Sequence, residues 1–185
     1  DLISVVGTEC GGHPSMEGVT SLVLIPRVLE SVKAPVIAGG GFGSGRSLLA
    51  ALALGAAGVN MGTRFMATRE CPVHETAKQR LVEAPETDSV LVMQSLKNPC
   101  RALRTAWTEK ILEMEDQGAT LEDLKPYLSG EAGRMGWIQG TIDRGIFPAG
   151  QVMGLVHDVP FVAELIEEIM EEAAQAKSSL DSIFS

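Results

Sequence analysis

Short apolar runs alternate with helical periods along the first half of the chain. The runs that are rich in β-branched residues and end at glycine are predicted strands, at residues 2–6, 35–38 and 59–61. Apolar residues at helical spacing predict helices at residues 20–33, 45–54 and 72–84. Ser44 is placed to cap the second helix, and Gly55 to end it in a left-handed turn. A repeated strand–loop–helix order predicts parallel strands joined by crossover helices.

The pattern changes after residue 88. A fourth strand is predicted at residues 89–93, followed by helices at 102–117 and 121–128. Residues 131–154 are rich in glycine and are expected to be irregular. Asp158 and Pro160 signal the start of a long final helix, whose tail after Lys177 is expected to fray.

Composition and charge limit the classes of partner. The chain has 185 residues, enough for one domain and a small appendage, and 45% of them are hydrophobic, enough for a sizeable core. Acidic side chains outnumber basic ones, 24 to 15, giving a formal charge of −9. Nucleic acid is therefore not expected as a partner. A phosphate-bearing cofactor remains possible, because main-chain N–H groups can hold it.

Cysteine usage and the chain ends bear on location. The three cysteines are widely spaced and form neither a CxxC pair nor a zinc pattern, so a reducing cytoplasm and no metal are expected. No apolar run reaches the length of a membrane span, and no secretory signal is present. The chain opens at Asp1 and enters an apolar run at once, so a trimmed or partial chain is expected.

Two glycine-rich strand ends are candidate phosphate loops. Gly39, Gly40 and Gly41 stand between a predicted strand and helix, and Gly62 and Thr63 follow the next strand. Glycines allow close approach of the backbone, and the free N–H groups of a helix start attract anions. Ser44 breaks the G-x-G-x-x-G spacing and no G-K-[ST] follows, so Rossmann and P-loop readings are disfavoured. Alternatively, these glycines serve tight turns and packing only.

The loop after the first strand carries the candidate acid–base group. His13 lies in a glycine-rich segment and can act as a general base or a donor near neutral pH. Cys10 has no evident base partner, which favours a packing or cofactor-lining role. Glu9 is either an anchor for the loop or a solvated residue.

Three segments, in order and correctly spaced, resemble the nitronate monooxygenase (2-nitropropane dioxygenase) family, in particular the bacterial branch that includes NADH:quinone reductases. They are residues 7–14 (GTECGGHP), 35–46 (PVIAGGGFGSGR) and 50–68 (AALALGAAGVNMGTRFMAT). The resemblance implies an α/β fold: the C-terminal part of a TIM-like (β/α)8 barrel with a small helical appended domain. The expected division is a partial barrel at 1–95, a helical and irregular cap at 96–155, and a C-terminal helix at 156–185 that returns to the barrel.

The resemblance also implies FMN as cofactor and a set of site residues. His13 corresponds to the catalytic histidine, and Gln151 to a loop on the substrate side. The implied cofactor-binding residues are Cys10, Gly11, Gly12, Gly39, Gly40, Gly41, Gly62 and Thr63.

The implied activity is oxidation of alkyl nitronates by O₂ to a carbonyl compound and nitrite. Alternatives on the same scaffold are an NAD(P)H:quinone reductase and a flavin-dependent enoyl-acyl-carrier-protein reductase. Eight strands close such a barrel, and only three or four are predicted in this chain. The expected partners are therefore a missing N-terminal half-barrel or a second copy, beside a nitronate or quinone substrate and O₂ or NAD(P)H. A non-catalytic half-barrel is the remaining alternative.

Overall fold

Three parallel strands form the sheet that positions the candidate site. The computed structural model describes residues 1–184. Strands β1 (Ile3–Val6), β2 (Val36–Gly39) and β3 (Gly58–Asn60) pair in the order β1-β2-β3. Helix α1 (Ser21–Leu29) joins the first pair and α2 (Gly45–Ala53) the second. The predicted crossover arrangement is confirmed, so the carboxyl ends of all three strands meet at one edge.

The predicted signals at the ends of α2 are also confirmed. Ser44 caps the helix by accepting a hydrogen bond from the Ser47 N–H at 3.2 Å, and Gly55 has a φ of +98°. Helices α3 (Thr63–Met66) and α4 (Glu75–Glu83) follow β3.

An antiparallel hairpin replaces the start of the helix expected at residues 102–117. β4 (Ser89–Val92) pairs with β5 (Cys100–Leu103), and all four residues of β5 are buried. Helix α5 (Ala106–Asp116) starts only after Thr105, which caps it through the Thr108 N–H. The expectation was wrong because the run before Thr105 satisfies its main-chain groups against β4.

Helix α7 (Gly130–Gln139) occupies a segment that was expected to be irregular. The short helix α6 (Leu121–Leu124) and a 3-10 turn (Lys125–Tyr127) precede it, as predicted for residues 121–128. Ser129 caps α7, and its glycines allow close packing: a Cβ at Gly133 would lie 3.2 Å from the Ile146 carbonyl oxygen. Tertiary packing therefore outweighs the low helix propensity of glycine.

Helix α8 (Val162–Phe184) follows the predicted start signal and packs on α2. The expected fraying after Lys177 is wrong, since the helix continues to Phe184 and Lys177 pairs with Asp181 at 2.7 Å. The buried stripe of α8 consists of Leu165, Ile169, Ala173 and Ala176. No helix within residues 1–184 is long and apolar enough to cross a membrane.

Candidate functional site

A small cavity lies where the three parallel strands end. It encloses about 260 Å³, and we call it the strand-end cavity. Six of the residues predicted to bind a cofactor line it: Cys10, Gly11, Gly40, Gly41, Gly62 and Thr63. Gly39 does not line the cavity; it is the last residue of β2, directly before the wall. The loops after β1, β2 and β3 therefore converge on one site, at the sheet edge where α/β proteins bind ligands.

The loop after β2 has the geometry of a main-chain anion site. Gly40 and Gly41 have φ values of +85° and +83°, and a Cβ at Gly40 would lie 2.8 Å from the Gly7 carbonyl oxygen. Only glycine fits there. Within the part of the chain that the structure describes, the N–H groups of Gly40 and Gly41 meet no hydrogen-bond acceptor. Consecutive free N–H groups in a turn form a concavity suited to an anion.

The loop after β3 leaves open space beside its glycine. A Cβ at Gly62 would meet no atom within 4 Å, although Gly62 lines the strand-end cavity. Thr63 is buried, and its hydroxyl oxygen accepts the Gly150 N–H at 2.9 Å. The hydroxyl therefore holds the Gly150 loop while its hydrogen remains available to a ligand.

The N-terminus of α2 was expected to attract a bound anion, but the protein supplies that anion itself. The Gly45 N–H donates to a carboxylate oxygen of Glu172 in α8 at 2.5 Å. The wall of the strand-end cavity reaches Phe42 and does not include this helix start. A phosphate in the cavity would therefore depend on the loop N–H groups and not on the dipole of α2.

His13 lies outside the strand-end cavity. It is exposed and borders a larger apolar space of about 860 Å³, which we call the apolar chamber. Trp137 and Pro148 line both spaces and so form the boundary between them. Gly12 lines neither; its φ is +82°, and its N–H donates to the Arg101 carbonyl oxygen at 3.0 Å. The loop after β1 thus contributes Cys10 and Gly11 to one space and His13 to the other.

Gln151 supports the site through its backbone. Its N–H donates to the Glu9 carbonyl oxygen at 3.0 Å, and the preceding Gly150 lines the strand-end cavity. A Cβ at Gly150 would lie 2.8 Å from the same oxygen. Close packing of this loop on the β1 loop therefore requires glycine.

Sequence comparison identifies the family. The sequence model of the nitronate monooxygenase family matches residues 1–172. The chain belongs to this family.

Two curated relatives from Mycobacterium tuberculosis are each 32% identical to the chain. The alignment with a putative monooxygenase spans 99% of this chain and 50% of that protein. The alignment with a hydroxy-methyl-oxo-octahydroindene-carboxyl-CoA dehydrogenase spans 94% of this chain and 59% of that protein. The chain therefore spans between half and three-fifths of these relatives.

Two solved structures share the fold. FabK from Thermotoga maritima superposes with a TM-score of 0.93 at 38% identity, over 99% of this chain and 57% of that one. A nitroalkane oxidase from Streptomyces ansochromogenes gives 0.75 at 26% identity, over 97% and 53%. This chain thus shares its α/β fold with the aligned part of each of these two proteins.

Glu9 proves to be an anchor of the loop that carries His13. Its carboxylate accepts the Ser21 N–H at 3.0 and 3.1 Å, at the start of α1. The Ser21 hydroxyl in turn donates to the Gly40 carbonyl oxygen at 2.7 Å. Sequence reasoning could not decide between an anchor and a solvated Glu9, and it missed Ser21 because no local signal links the two residues.

The cysteines near the site are poor nucleophiles. Burial raises the pKa of the Cys10 thiol, an effect that the positive charge of Arg101 partly opposes. Burial and the neighbouring Cys10 raise the pKa of Cys100 to about 11. Both side chains are therefore thiols at neutral pH, which suits a lining or packing role.

Proposed function

We propose that this chain supplies the phosphate-binding half of an FMN-dependent oxidoreductase that oxidises alkyl nitronates with O₂ to carbonyl compounds and nitrite. The observation that carries the proposal is the convergence of Gly40–Gly41 and Gly62–Thr63 on one cavity. FMN would accept the electrons, while the protein binds and orients it.

The residues present suit a phosphate group. The N–H groups of Gly40 and Gly41 lack acceptors among residues 1–184, and the missing side chain of Gly62 leaves room beside them. The Thr63 hydroxyl can add one further donor. Main-chain donors hold a phosphate without cationic side chains, which agrees with the net charge of −9.

The apolar chamber is the proposed substrate side. His13 lies on its wall, and Trp137 and Pro148 separate it from the strand-end cavity. In this arrangement the imidazole would polarise or deprotonate a substrate held in the chamber. The apolar lining of the chamber would exclude water from that substrate.

The barrel itself is part of the proposal. Three parallel strands are too few to close a barrel of eight, and β1 and β3 each leave one edge unpaired among the described residues. We infer that further strands, from the rest of a longer protein or from another chain, complete the barrel and the cofactor site. The number and wide spacing of the three cysteines support a cytoplasmic location, because they do not form a disulfide framework.

The decisive measurement is nitrite release. The protein in its full natural length should purify yellow, and it should release nitrite aerobically from propionate-3-nitronate or 2-nitropropane. Stoichiometric FMN without turnover of either compound would rule out the nitronate activity. Protein that neither carries nor takes up FMN would rule out the cofactor assignment as well and leave a non-catalytic half-barrel.

A reductase is the second candidate, in which NAD(P)H reduces the flavin and a quinone or an enoyl thioester receives the electrons. The size of the apolar chamber favours it, because about 860 Å³ accommodates a drug-sized ligand and far exceeds a three-carbon nitronate. A CoA-thioester dehydrogenase among the relatives also supports a bulky substrate. Anaerobic mixing with NADH separates the two: rapid bleaching of the flavin indicates a reductase, and slow bleaching the nitronate oxidase.

A further inference from the structure

A buried guanidinium without a salt-bridge partner contacts the loop that follows β1. Arg101 in β5 is only 7% exposed. Its Nε donates to the Thr8 carbonyl oxygen at 3.0 Å, and its Nη1 donates to the Ser89 hydroxyl at 3.1 Å. Both acceptors are neutral, and a guanidinium carries five N–H donors.

The charge of Arg101 is not neutralised by an ion pair. Among residues 1–184 no carboxylate oxygen lies within 4.0 Å of it. The Glu9 carboxylate acts on Arg101 only at longer range, where it favours the charged guanidinium, and its own hydrogen bonds go to Ser21. The comparably buried Arg64 differs, because it pairs with Asp158 at 2.6 Å. A buried cation without a directly paired carboxylate is costly, and its charge remains available to stabilise a further negative charge nearby.

The loop that Arg101 supports forms one wall of the strand-end cavity. The main chains of Arg101 and Gly12 exchange hydrogen bonds of 2.6 and 3.0 Å, and the side chain holds Thr8. Between those two contacts lie Cys10 and Gly11, which line the cavity. The positive charge is felt at that wall, since it acts to lower the pKa of the Cys10 thiol against the effect of burial.

We propose that Arg101 is a positioning and charge-stabilising residue for the redox cofactor: it fixes the Thr8–Gly12 wall and stabilises the negative charge that a flavin acquires on reduction. This inference rests on the proposed function. A fixed positive charge near a flavin favours its anionic reduced form. It also favours the sulfite adduct of the flavin. In that adduct the sulfur lone pair forms a bond to flavin N5, the N5=C4a π bond breaks, and its electron pair becomes the negative charge at N1–C2=O.

Sulfite therefore provides a probe that is independent of turnover. In the FMN-loaded full-length protein, Arg101→Gln should weaken sulfite binding at least tenfold. Tenfold corresponds to about 30 mV for a two-electron couple, so the midpoint potential should fall by at least that amount. Arg101→Lys keeps the charge and should stay within threefold of the wild type in sulfite affinity.

Arg104 offers a matched control. It lies three residues further on, half exposed, beside Asp88 and Glu109, and it does not line the cavity. Arg104→Gln should leave sulfite affinity and potential unchanged. Wild-type sulfite affinity and potential in Arg101→Gln would overturn the inference. Equal losses of sulfite affinity in the Gln and Lys variants would do the same, and Arg101 would then have only a structural role.

Two further results keep the test decisive. Should Arg101→Gln fail to fold, Arg101→Lys decides alone, because a tenfold loss of sulfite affinity in it would contradict a charge effect. Wild-type protein that does not bind FMN would refute the proposed function itself. Variants that bind FMN but share the sulfite affinity of the wild type would refute only the role of Arg101.

Discussion

Replacing Gly62 by alanine should separate cofactor binding from folding. The φ and ψ of Gly62 are −87° and −71°, a region open to any L residue, and a Cβ there would meet no atom within 4 Å. The apoprotein should therefore fold normally. Its free energy of unfolding should be unchanged or higher by about 0.4–1 kcal/mol, because alanine restricts the unfolded chain.

The same methyl group should weaken FMN binding. It would extend into the strand-end cavity, where we place the phosphate, and displace at least one hydrogen bond to that charged group. Such a bond contributes about 1.5–3 kcal/mol. Since 1.4 kcal/mol is tenfold in affinity, the Kd for FMN should rise about 10- to 100-fold.

Two titrations measure these quantities. Quenching of flavin fluorescence on binding to apoprotein gives the Kd, and urea unfolding of apoprotein gives the stability. Gly58→Ala is the matched control: it lies in β3, the strand that precedes Gly62, its added Cβ would be 3.5 Å from Ile37 Cδ1, and it does not line the cavity. Wild-type affinity in a well-folded Gly62→Ala protein would refute a phosphate at this position.

Three further changes test the anchor, the core and a buried thiol. Glu9→Gln removes one acceptor from Ser21 and should lower the free energy of unfolding by about 1–3 kcal/mol; unchanged urea stability would contradict the anchoring role. Phe147→Ala deletes a ring that is 1% exposed and should cost about 3–5 kcal/mol, measured by thermal or urea unfolding. Folding raises the pKa of Cys100 from 9.0 to about 11. The neutral thiol therefore makes its full contribution to the free energy of unfolding below pH 9, and this contribution is lost as the pH rises to 11. Urea unfolding from pH 8 to 11 should show this loss, about 3 kcal/mol, in the wild type and not in Cys100→Ala. Equal dependence of stability on pH in the two proteins would contradict the raised pKa of Cys100.

Local signals were sufficient for the strands and glycine loops around the cavity. Gly39 ends β2, Gly40 and Gly41 follow it, and Gly62 follows β3. Because these two strands pair in parallel, the meeting of the glycines follows from topology once the strands are identified. The position of His13 could not be obtained in this way. The turn at Gly12 and its pairing with Arg101 direct the histidine to the apolar chamber, and this pairing joins residues 89 positions apart.

The errors share a physical origin in long-range packing. β5 resembles a helix start locally, but β4 provides partners for its main chain. α7 has glycines that weaken an isolated helix, yet those glycines let it approach the neighbouring backbone. The Glu172 carboxylate reaches the Gly45 N–H across 127 positions, so no local pattern could show that the start of α2 was already occupied.

The shared boundary at Trp137 gives the protein a built-in optical reporter. Its indole ring borders both the strand-end cavity and the apolar chamber and lies 5.0 Å from the Phe147 ring. The other tryptophan, Trp107, lines neither space and donates to the Tyr127 carbonyl oxygen. Indole emission recorded during binding would therefore report when the cofactor enters the strand-end cavity and when the substrate enters the apolar chamber, without any added label.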